Sequence, residues 1–183
     1  FFKNGYKNMK SIIVVGGGTA GWMSAAYFSK KGFSVTLIES PSIPIIGVGE
    51  STVPAMTSFC QTLGLDENTW MDQVNAIHKL GICHSGWKKG STIDWWHWFE
   101  YDRTKQESRH EYLKNDALPS STLEYAYHID AVKFGNIVCK PIALENSCVH
   151  IVDDVVEVLT DYSGIKGLQT KSNGTLVADF YID

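Results

Sequence analysis

The sequence predicts an α/β fold in which a parallel β-sheet is followed by an antiparallel β-meander. Three observations support this prediction. An apolar run over 12–15 enters a helical pattern through a glycine-rich turn, a second apolar run follows over 33–38, and Asn173-Gly174 is a hairpin signal. Parallel strands need a crossover between them, whereas an Asn-Gly turn joins antiparallel strands. A chain of 183 residues is long enough for one such domain.

The glycine-rich turn carries the first functional signal. A G-x-G-x-x-G pattern stands between the strand at 12–15 and a helical run over 20–31. Its glycines suit a tight turn, backbone approach to a pyrophosphate and close packing of helix on strand. The N-terminus of the helix offers unpaired N–H groups to phosphates. The turn therefore predicts a dinucleotide site whose candidate residues are Gly16, Gly18, Thr19, Ala20 and Gly21.

A carboxylate, Glu39, stands at the end of the second predicted strand. It follows the glycines by about 20 residues, where a carboxylate usually binds a ribose 2′-OH. An acid there would repel a 2′-phosphate, so NADP fits poorly and FAD or NAD remains. Because β-α alternation usually continues in plain NAD domains, the later meander favours FAD. The predicted fold is an FAD-binding Rossmann-like (GR2-type) domain.

The segment after Glu39 is apolar but irregular, since it holds two prolines and two glycines over 41–49. It has two interpretations, a strap along a flat cofactor or a buried crossover loop. The candidate cofactor-binding residues in and after it are Gly47, Val48, Gly49, Ser51 and Thr52. Glu50 is either a catalytic carboxylate or a loop acid that holds the strap, and the second interpretation is favoured.

The remaining pattern alternates helices and strands. Helices are predicted over 54–63 and 67–74, a strand over 80–87, and a helix from about Tyr127 that Pro141 must end or kink. The aromatic cluster at 95–99 could stack a planar ligand, but a core or interface position is favoured. The C-terminal strands are expected at 149–152, 155–159, 165–171 and 176–182.

Composition excludes several classes of partner. The net charge is −4 with no dense basic cluster, so nucleic acid is not expected as a partner. No apolar run is long enough to span a membrane and no secretory signal pattern occurs, which predicts a cytoplasmic protein. The four cysteines are scattered and the six histidines lack ligand spacing, so no metal site is predicted.

Four segments of the chain resemble the flavin-dependent tryptophan halogenases. They are Gly-Gly-Gly-Thr-Ala-Gly-Trp-Met at 16–23, Gly-Val-Gly-Glu-Ser-Thr at 47–52, the run 77–82 around Lys79, and Tyr-His-Ile-Asp-Ala at 127–131. Trp22 directly after the glycines and the segment 47–52 are more specific than the glycines themselves. The resemblance extends from Met9 to Asp183.

The resemblance implies a reaction and a role for Lys79. Members of that family use reduced FAD from a separate flavin reductase, with O2 and chloride or bromide, to make hypohalous acid. A lysine then directs the halogen to a small aromatic substrate, and 47–52 is the strap between the two sites. An ammonium hydrogen-bonds hypohalous acid, or an amine forms a haloamine, and burial favours the second route by depressing the pKa of the lysine.

The sequence pattern and the resemblance together predict a domain organisation. Residues 1–8 are expected to be a disordered extension, and 9–183 a truncated FAD-binding domain with 88–122 as an excursion toward the substrate region. Such an N-terminal portion would be inactive by itself. The sequence leaves undecided whether the protein forms a homodimer. The alternatives are a flavin-dependent monooxygenase or reductase, which requires neither Lys79 nor the strap, and a nucleotide-binding fragment without activity.

Overall fold

The computed structural model describes residues 10–90, 92–100 and 123–183. The predicted extension over 1–8 and most of the predicted excursion over 88–122 lie outside these residues. The strands are β1 Ser11–Val15, β2 Ser34–Glu39, β3 Gly49–Ser51, β4 Ile77–Lys79, β5 Gly81–His84, β6 Trp95–Trp98, β7 Ala126–Asp130, β8 Val149–Val152, β9 Val155–Asp161, β10 Gly164–Thr170, β11 Thr175–Leu176 and β12 Phe180–Ile182. The helices are α1 Thr19–Lys30, α2 Ala55–Thr62, α3 Glu67–Trp70, α4 Ala131–Lys133 and α5 Lys140–Glu145, with a 3-10 turn over Asp72–Val74 and a π-helical turn over Phe134–Cys139.

A parallel sheet with the order β12-β1-β2-β8 forms the centre of the fold, as predicted. Ile12 and Val14 belong to the core cluster that contains α1, whereas Ile13 packs with Leu168 of β10. Successive side chains of a strand point to opposite faces, so β1 is covered on both sides. This burial explains why its sequence is apolar throughout rather than alternating.

The predicted meander is present as the antiparallel sheet β11-β10-β9. The expected final strand over 176–182 is wrong in its extent, because it divides into β11 and β12. β11 belongs to the meander and β12 pairs with β1, so the chain bends between the two sheets. At the bend, the Asp179 carboxylate accepts hydrogen bonds from the backbone N–H groups of Lys10 and Ser11, both at 2.9 Å.

A third sheet has the order β3-β7-β4 and corrects the helix predicted from Tyr127. Residues 126–130 are a strand because they pair on both sides, with β3 and with β4. The helix begins only at Ala131, where the Asp130 carboxylate accepts the Lys133 N–H at 3.0 Å. Pro141 does not end the helix but lies in the first turn of α5, after the π-helical turn, where its missing N–H is tolerated.

The predicted helices over 54–63 and 67–74 are found as α2 and as α3 with the 3-10 turn. The strand expected over 80–87 is shorter and is interrupted at Leu80, between β4 and β5. β5 pairs with β6, which carries the aromatic cluster. Trp95 and Trp96 are not core residues, since they are 57% and 48% exposed, and an interface position for them stays a prediction. None of the described helices is both long and apolar enough to cross a membrane.

Trp22 is the largest fully buried side chain of the main core. Its ring makes an edge contact with His150 at 5.0 Å between centroids, and the Lys140 ammonium lies 4.8 Å from its centre. It therefore joins α1 to α5 and to β8.

We expect Trp22→Ala to lower the free energy of unfolding by about 3–5 kcal/mol, because it leaves a large cavity between these elements. Trp87→Ala is the matched control, since Trp87 is 78% exposed, and a change within about 0.5 kcal/mol is expected there. Denaturant titration of both variants measures the difference. Equal losses in the two variants would contradict this account of the core.

Candidate functional site

A groove of about 580 Å³ lies at the carboxyl ends of β1 and β2. This edge of a parallel sheet is where α/β proteins usually bind ligands. The predicted residues that line the groove are Gly16, Gly18, Thr19, Ala20, Glu39 and Val48. The structure therefore brings together the glycine turn, the carboxylate and part of the strap.

The glycine turn has the features that a pyrophosphate needs. Gly16 has φ +104°, a conformation that favours glycine, and its N–H donates to the Ile38 carbonyl at 2.8 Å. Gly18 caps α1 without any side-chain hydrogen bond to the helix N-terminus. A Cβ at Gly18 would meet no atom within 4 Å, so the first turn of α1 opens directly onto the groove. Its N–H groups are thus accessible to an anion.

At two other positions, Gly17 and Gly21, a side chain would collide with neighbouring atoms. A Cβ at Gly21 would lie 1.9 Å from the Gly16 carbonyl oxygen, which keeps α1 close to the turn. A Cβ at Gly17 would lie 2.1 Å from Cδ of Glu39, so the carboxylate side chain rests directly over the turn. Gly21 was predicted as a cofactor residue, and its position here is behind the groove, where it sets the shape of the turn.

His150 is a neighbour of Glu39 that sequence patterns did not reveal. Its Nε2 lies 2.9 Å from Oε2 of Glu39, and the two residues come from the adjacent strands β8 and β2. The contact fixes Oε2 of Glu39 at the wall of the groove. Because 111 positions separate the two residues, only the strand order β2-β8 would have indicated the pair.

The groove also contains Asp153, which holds the meander. Its carboxylate accepts hydrogen bonds from the N–H groups of Ser172 and Asn173 at 2.9 and 3.0 Å. Desolvation opposes its charge, but the Asn173 side chain and the backbone N–H groups of Ser172 and Asp154 lower its pKa well below the usual range for aspartate. Asp153 is therefore an anion whose oxygens are occupied by the protein itself, which makes it a structural residue of the groove wall.

The strap is more exposed than a buried crossover loop would be. Ile43 and Ile46 are 74% and 87% exposed, and both line the groove. Gly47 and Gly49 face a second cavity of about 510 Å³, and Val48 lines both cavities. The strap thus separates two open spaces, with apolar side chains presented to the groove.

The end of the strap is bound firmly to β7. The Thr52 N–H and Oγ1 both donate to the Tyr127 carbonyl at 2.9 Å, and the Tyr127 N–H donates to Thr52 Oγ1 at 2.9 Å. Ser51, next to Thr52, pairs with His128 across the sheet. Neither Ser51 nor Thr52 lines the groove. These two predicted cofactor residues lie instead at the end of the strap that pairs with β7.

Lys79 lies at the end of β4 and is only 7% exposed. Its Nζ donates to the Thr52 carbonyl at 2.8 Å and lies 5.1 Å from the centre of the Phe99 ring. Burial lowers the pKa of this amine. The structure therefore places Lys79 at the end of the strap rather than in the groove, and Phe99 beside it is a neighbour that the sequence had shown only as part of an aromatic cluster.

A polar cluster on the other face of β4 and β7 was also missed by sequence patterns. The Tyr125 and Tyr127 hydroxyls both donate to Oε1 of Glu67, and His78 Nε2 lies 3.1 Å from Oε2 of the same residue. Tyr127 lies in β7 and Tyr125 directly precedes this strand, two positions away, which is the only local signal that they share a face. Within the described ranges, no group of three or more histidine, cysteine or acidic side chains is arranged to hold a metal ion.

The glycine turn, the carboxylate at the end of β2 and the groove between them define a dinucleotide-binding α/β protein. Comparison with known families narrows this class. A family model described as tryptophan halogenase matches residues 11–117 and 101–183. The chain belongs to the tryptophan halogenase family.

Individual relatives support the same assignment. The chain is 29% identical over 223 aligned positions to tryptophan 6-halogenase ThaL of Streptomyces albogriseolus, covering 96% of this chain and 42% of that protein. It is 29% identical over 219 positions to tryptophan 7-halogenase RebH of Lentzea aerocolonigenes, with 94% and 41% covered. The crystal structure of tryptophan 6-halogenase SttH from Streptomyces toxytricini superposes with a TM-score of 0.76 at 26% identity, covering 96% of this chain and 43% of that one. The chain thus spans less than half the length of these relatives.

Gly18→Ala and Gly21→Ala separate the two roles of the glycine turn. In Gly18→Ala the added methyl group enters the groove, so we expect FAD binding to weaken about tenfold or more, as for one lost hydrogen bond to a charged group. Its unfolding free energy falls by at most about 1 kcal/mol, because alanine is a poorer N-cap than glycine.

In Gly21→Ala the methyl group collides with the Gly16 carbonyl. This overpacking lowers the free energy of unfolding by about 1–3 kcal/mol, which offsets the stabilisation that alanine gives through its higher helix propensity. FAD titration and denaturant titration of both variants measure these effects. A Gly18→Ala variant that binds FAD as the wild type does would contradict the position of the pyrophosphate.

Proposed function

We propose that this chain is part of a flavin-dependent halogenase that acts on an electron-rich aromatic compound such as tryptophan. The observation that carries the proposal is the position of Lys79. Its amine is buried and is hydrogen-bonded to Thr52 at the end of the strap, and earlier residues of the strap line the groove. Glu50 lines the groove and Thr52, two residues later, holds the lysine. Membership of the family supports this interpretation over a monooxygenase or reductase, in which such a lysine has no role.

The cofactor of this proposal is FAD, and the residues present fit it. The open turn at Gly16–Thr19 would bind the pyrophosphate, and Glu39 would bind the ribose. The apolar strap at 43–48 would lie along the ring system, which explains apolar side chains that are otherwise exposed. When bound in its reduced form, which a separate reductase would supply, FAD would allow O2 to oxidise the halide: O2 accepts two electrons from FADH2 and two from chloride or bromide, giving oxidised FAD, hypohalous acid and water.

Lys79 has two chemically sound routes to transfer the halogen. As an ammonium it donates a hydrogen bond to hypohalous acid, and the aromatic carbon takes the halogen while the ring proton and the hydroxide leave as water. As a neutral amine it displaces hydroxide from hypohalous acid, which forms the haloamine and water. The aromatic ring then takes the halogen, and its proton returns to the amine. The lowered pKa of Lys79 favours the neutral amine.

Glu50 has a position that favours a structural role. It lies in β3, pairs with Ile129 of β7 and is exposed toward the groove. We propose that it holds the strap and shapes the cofactor side of the site. The chain spans about 42% of the first curated relative, so the excursion over 88–122 would supply only part of the substrate pocket.

Lys79→Met in the full-length protein tests the function. With FADH2, O2 and bromide, we expect halogenated product to fall about 100-fold or more, because the group that directs the halogen is lost. FAD binding and FADH2 oxidation stay at the wild-type level. Lys166→Met is the matched control, since the Lys166 side chain is 52% exposed and lies in the meander. Mass spectrometry of the product decides the outcome, and hydroxylation without halogen in the wild type would overturn the proposal.

Lys79→Arg separates the two routes of halogen transfer. A guanidinium donates hydrogen bonds but stays charged, so it supports the first route and forms no haloamine. In the wild type, the haloamine route predicts product formation that rises with pH through the Lys79 pKa, below the ordinary value of 10.5. The ammonium route predicts a fall over the same range. We expect the rising profile and an inactive Lys79→Arg variant, measured from single-turnover rates across pH.

A further inference from the structure

The polar cluster around Glu67 lies on the opposite face of β4 and β7 from Lys79. His78 and Tyr127 are directly opposite each other in the antiparallel pair of these strands. Both side chains reach Glu67, which begins α3. Because successive side chains of a strand alternate in direction, Lys79 points away from this cluster while its neighbour His78 points into it.

Hydrogen bonds link Glu67 to Tyr127, Tyr127 to Thr52 and Thr52 to Lys79. The Tyr127 hydroxyl donates to Glu67, and the backbone of Tyr127 makes the three hydrogen bonds to Thr52. The carbonyl of Thr52 then accepts the hydrogen bond from Lys79 Nζ at 2.8 Å. The position of the lysine acceptor therefore depends on where Tyr127 is held.

We propose that Glu67 is a positioning residue for Lys79, acting through the Tyr127 side chain and the Thr52 carbonyl. The inference rests on the proposed function, because it gives Lys79 its role in halogen transfer. Glu67 touches neither the groove nor Lys79, so it takes no part in the reaction itself.

The chemistry of the cluster suits this role. One carboxylate oxygen of Glu67 accepts hydrogen bonds from two tyrosine hydroxyls, and the other faces the His78 imidazole. The charged group therefore has three polar partners. Desolvation opposes the charge, but the hydrogen bonds from Tyr125 and Tyr127 lower the pKa of Glu67. Desolvation and the hydrogen bond to Glu67 raise the pKa of Tyr125 to about 12 and raise that of Tyr127 further, which keeps both hydroxyls as donors. Charge-assisted hydrogen bonds of this kind are shorter and stronger than neutral ones.

Packing around Tyr127 makes the position rigid. Tyr127 is 1% exposed, and its ring makes edge contacts with Trp70 at 5.0 Å and with Tyr125 at 5.6 Å. Trp70 in turn contacts Phe134 at 5.3 Å. The phenolic oxygen is thus the only polar group of a ring that is otherwise held by aromatic contacts, so its removal changes the hydrogen bond while the packing stays.

Tyr127→Phe and Tyr125→Phe are a matched pair of variants for the test. Each removes one hydroxyl from the same oxygen of Glu67 and leaves an aromatic ring in place. Only Tyr127 is bonded to Thr52 through its backbone. A merely structural role of the cluster predicts similar effects of the two variants, whereas positioning of Lys79 predicts an effect of Tyr127→Phe alone.

The first measurement is kinetic and uses the full-length protein. We expect Tyr127→Phe to lower kcat for halogenation about tenfold with KM for the aromatic substrate unchanged, as for a small misplacement of a reacting group. A trap in solution then collects more free hypohalous acid per FADH2 consumed. Tyr125→Phe stays within about twofold of the wild type. Thermal unfolding of both variants confirms that each is folded.

The second measurement is independent of halogenation. Lys79 is labelled with acetic anhydride at fixed pH, and its rate is compared by peptide mass spectrometry with that of exposed Lys166 in the same sample. We expect the relative rate to rise about tenfold in Tyr127→Phe, the factor for a lost hydrogen bond worth about 1.4 kcal/mol, and to stay unchanged in Tyr125→Phe. An unchanged rate in Tyr127→Phe, or an equal change in both variants, overturns the inference. A wild type that makes no halogenated product would contradict the proposed function and leave this labelling result to decide the positioning on its own.

Discussion

Thr52 and Tyr127 are joined by three hydrogen bonds, and both halves of the candidate site depend on them. The bonds satisfy the N–H and hydroxyl of Thr52 with a single partner, so its carbonyl is directed to Lys79. They also end the strap at a fixed point of β7. At about 3.3 Å per residue, the extended segment places Glu50 in the groove roughly 7 Å from Thr52. The distance between the cofactor groove and the lysine is therefore set by backbone geometry.

The two ends of the strap differ in how strongly they are held. Residues 41–48 form no strand and carry exposed apolar side chains, whereas Gly49–Ser51 pair with β7 and Thr52 continues the pairing. Segments with few buried contacts open at lower free energy than paired strands. We therefore expect the groove side of the strap to change conformation more easily than the lysine side.

The part of the site that the sequence predicted is the part made by local contacts. The glycine turn and Glu39 lie within one β-α-β unit, so their spacing along the chain fixes their spacing in the fold. Lys79 was identified only through the resemblance of the segments around it. The apolar residues after Tyr127 approximate one helical face and so predict a helix there, but the pairing of β7 with two distant strands overrides that pattern. The contact of Tyr127 with Glu67 joins positions 60 apart, which no periodicity reports.

Successive side chains of β4 point to opposite faces, so His78 binds Glu67 on one face while Lys79 lies on the other. The Glu67 carboxylate and the Lys79 amine, which would otherwise attract each other, are thereby kept apart. A carboxylate beside Lys79 would stabilise its ammonium and raise its pKa. Burial lowers the pKa of Lys79, and the Glu67 charge is instead stabilised by hydrogen bonds with Tyr125, Tyr127 and His78 on the opposite face. Within the described part of the chain, the Lys79 amine donates to a neutral acceptor, the Thr52 carbonyl, which is linked through Tyr127 to the charged Glu67. This arrangement holds Lys79 in place and still allows it to lose a proton, which the haloamine route requires.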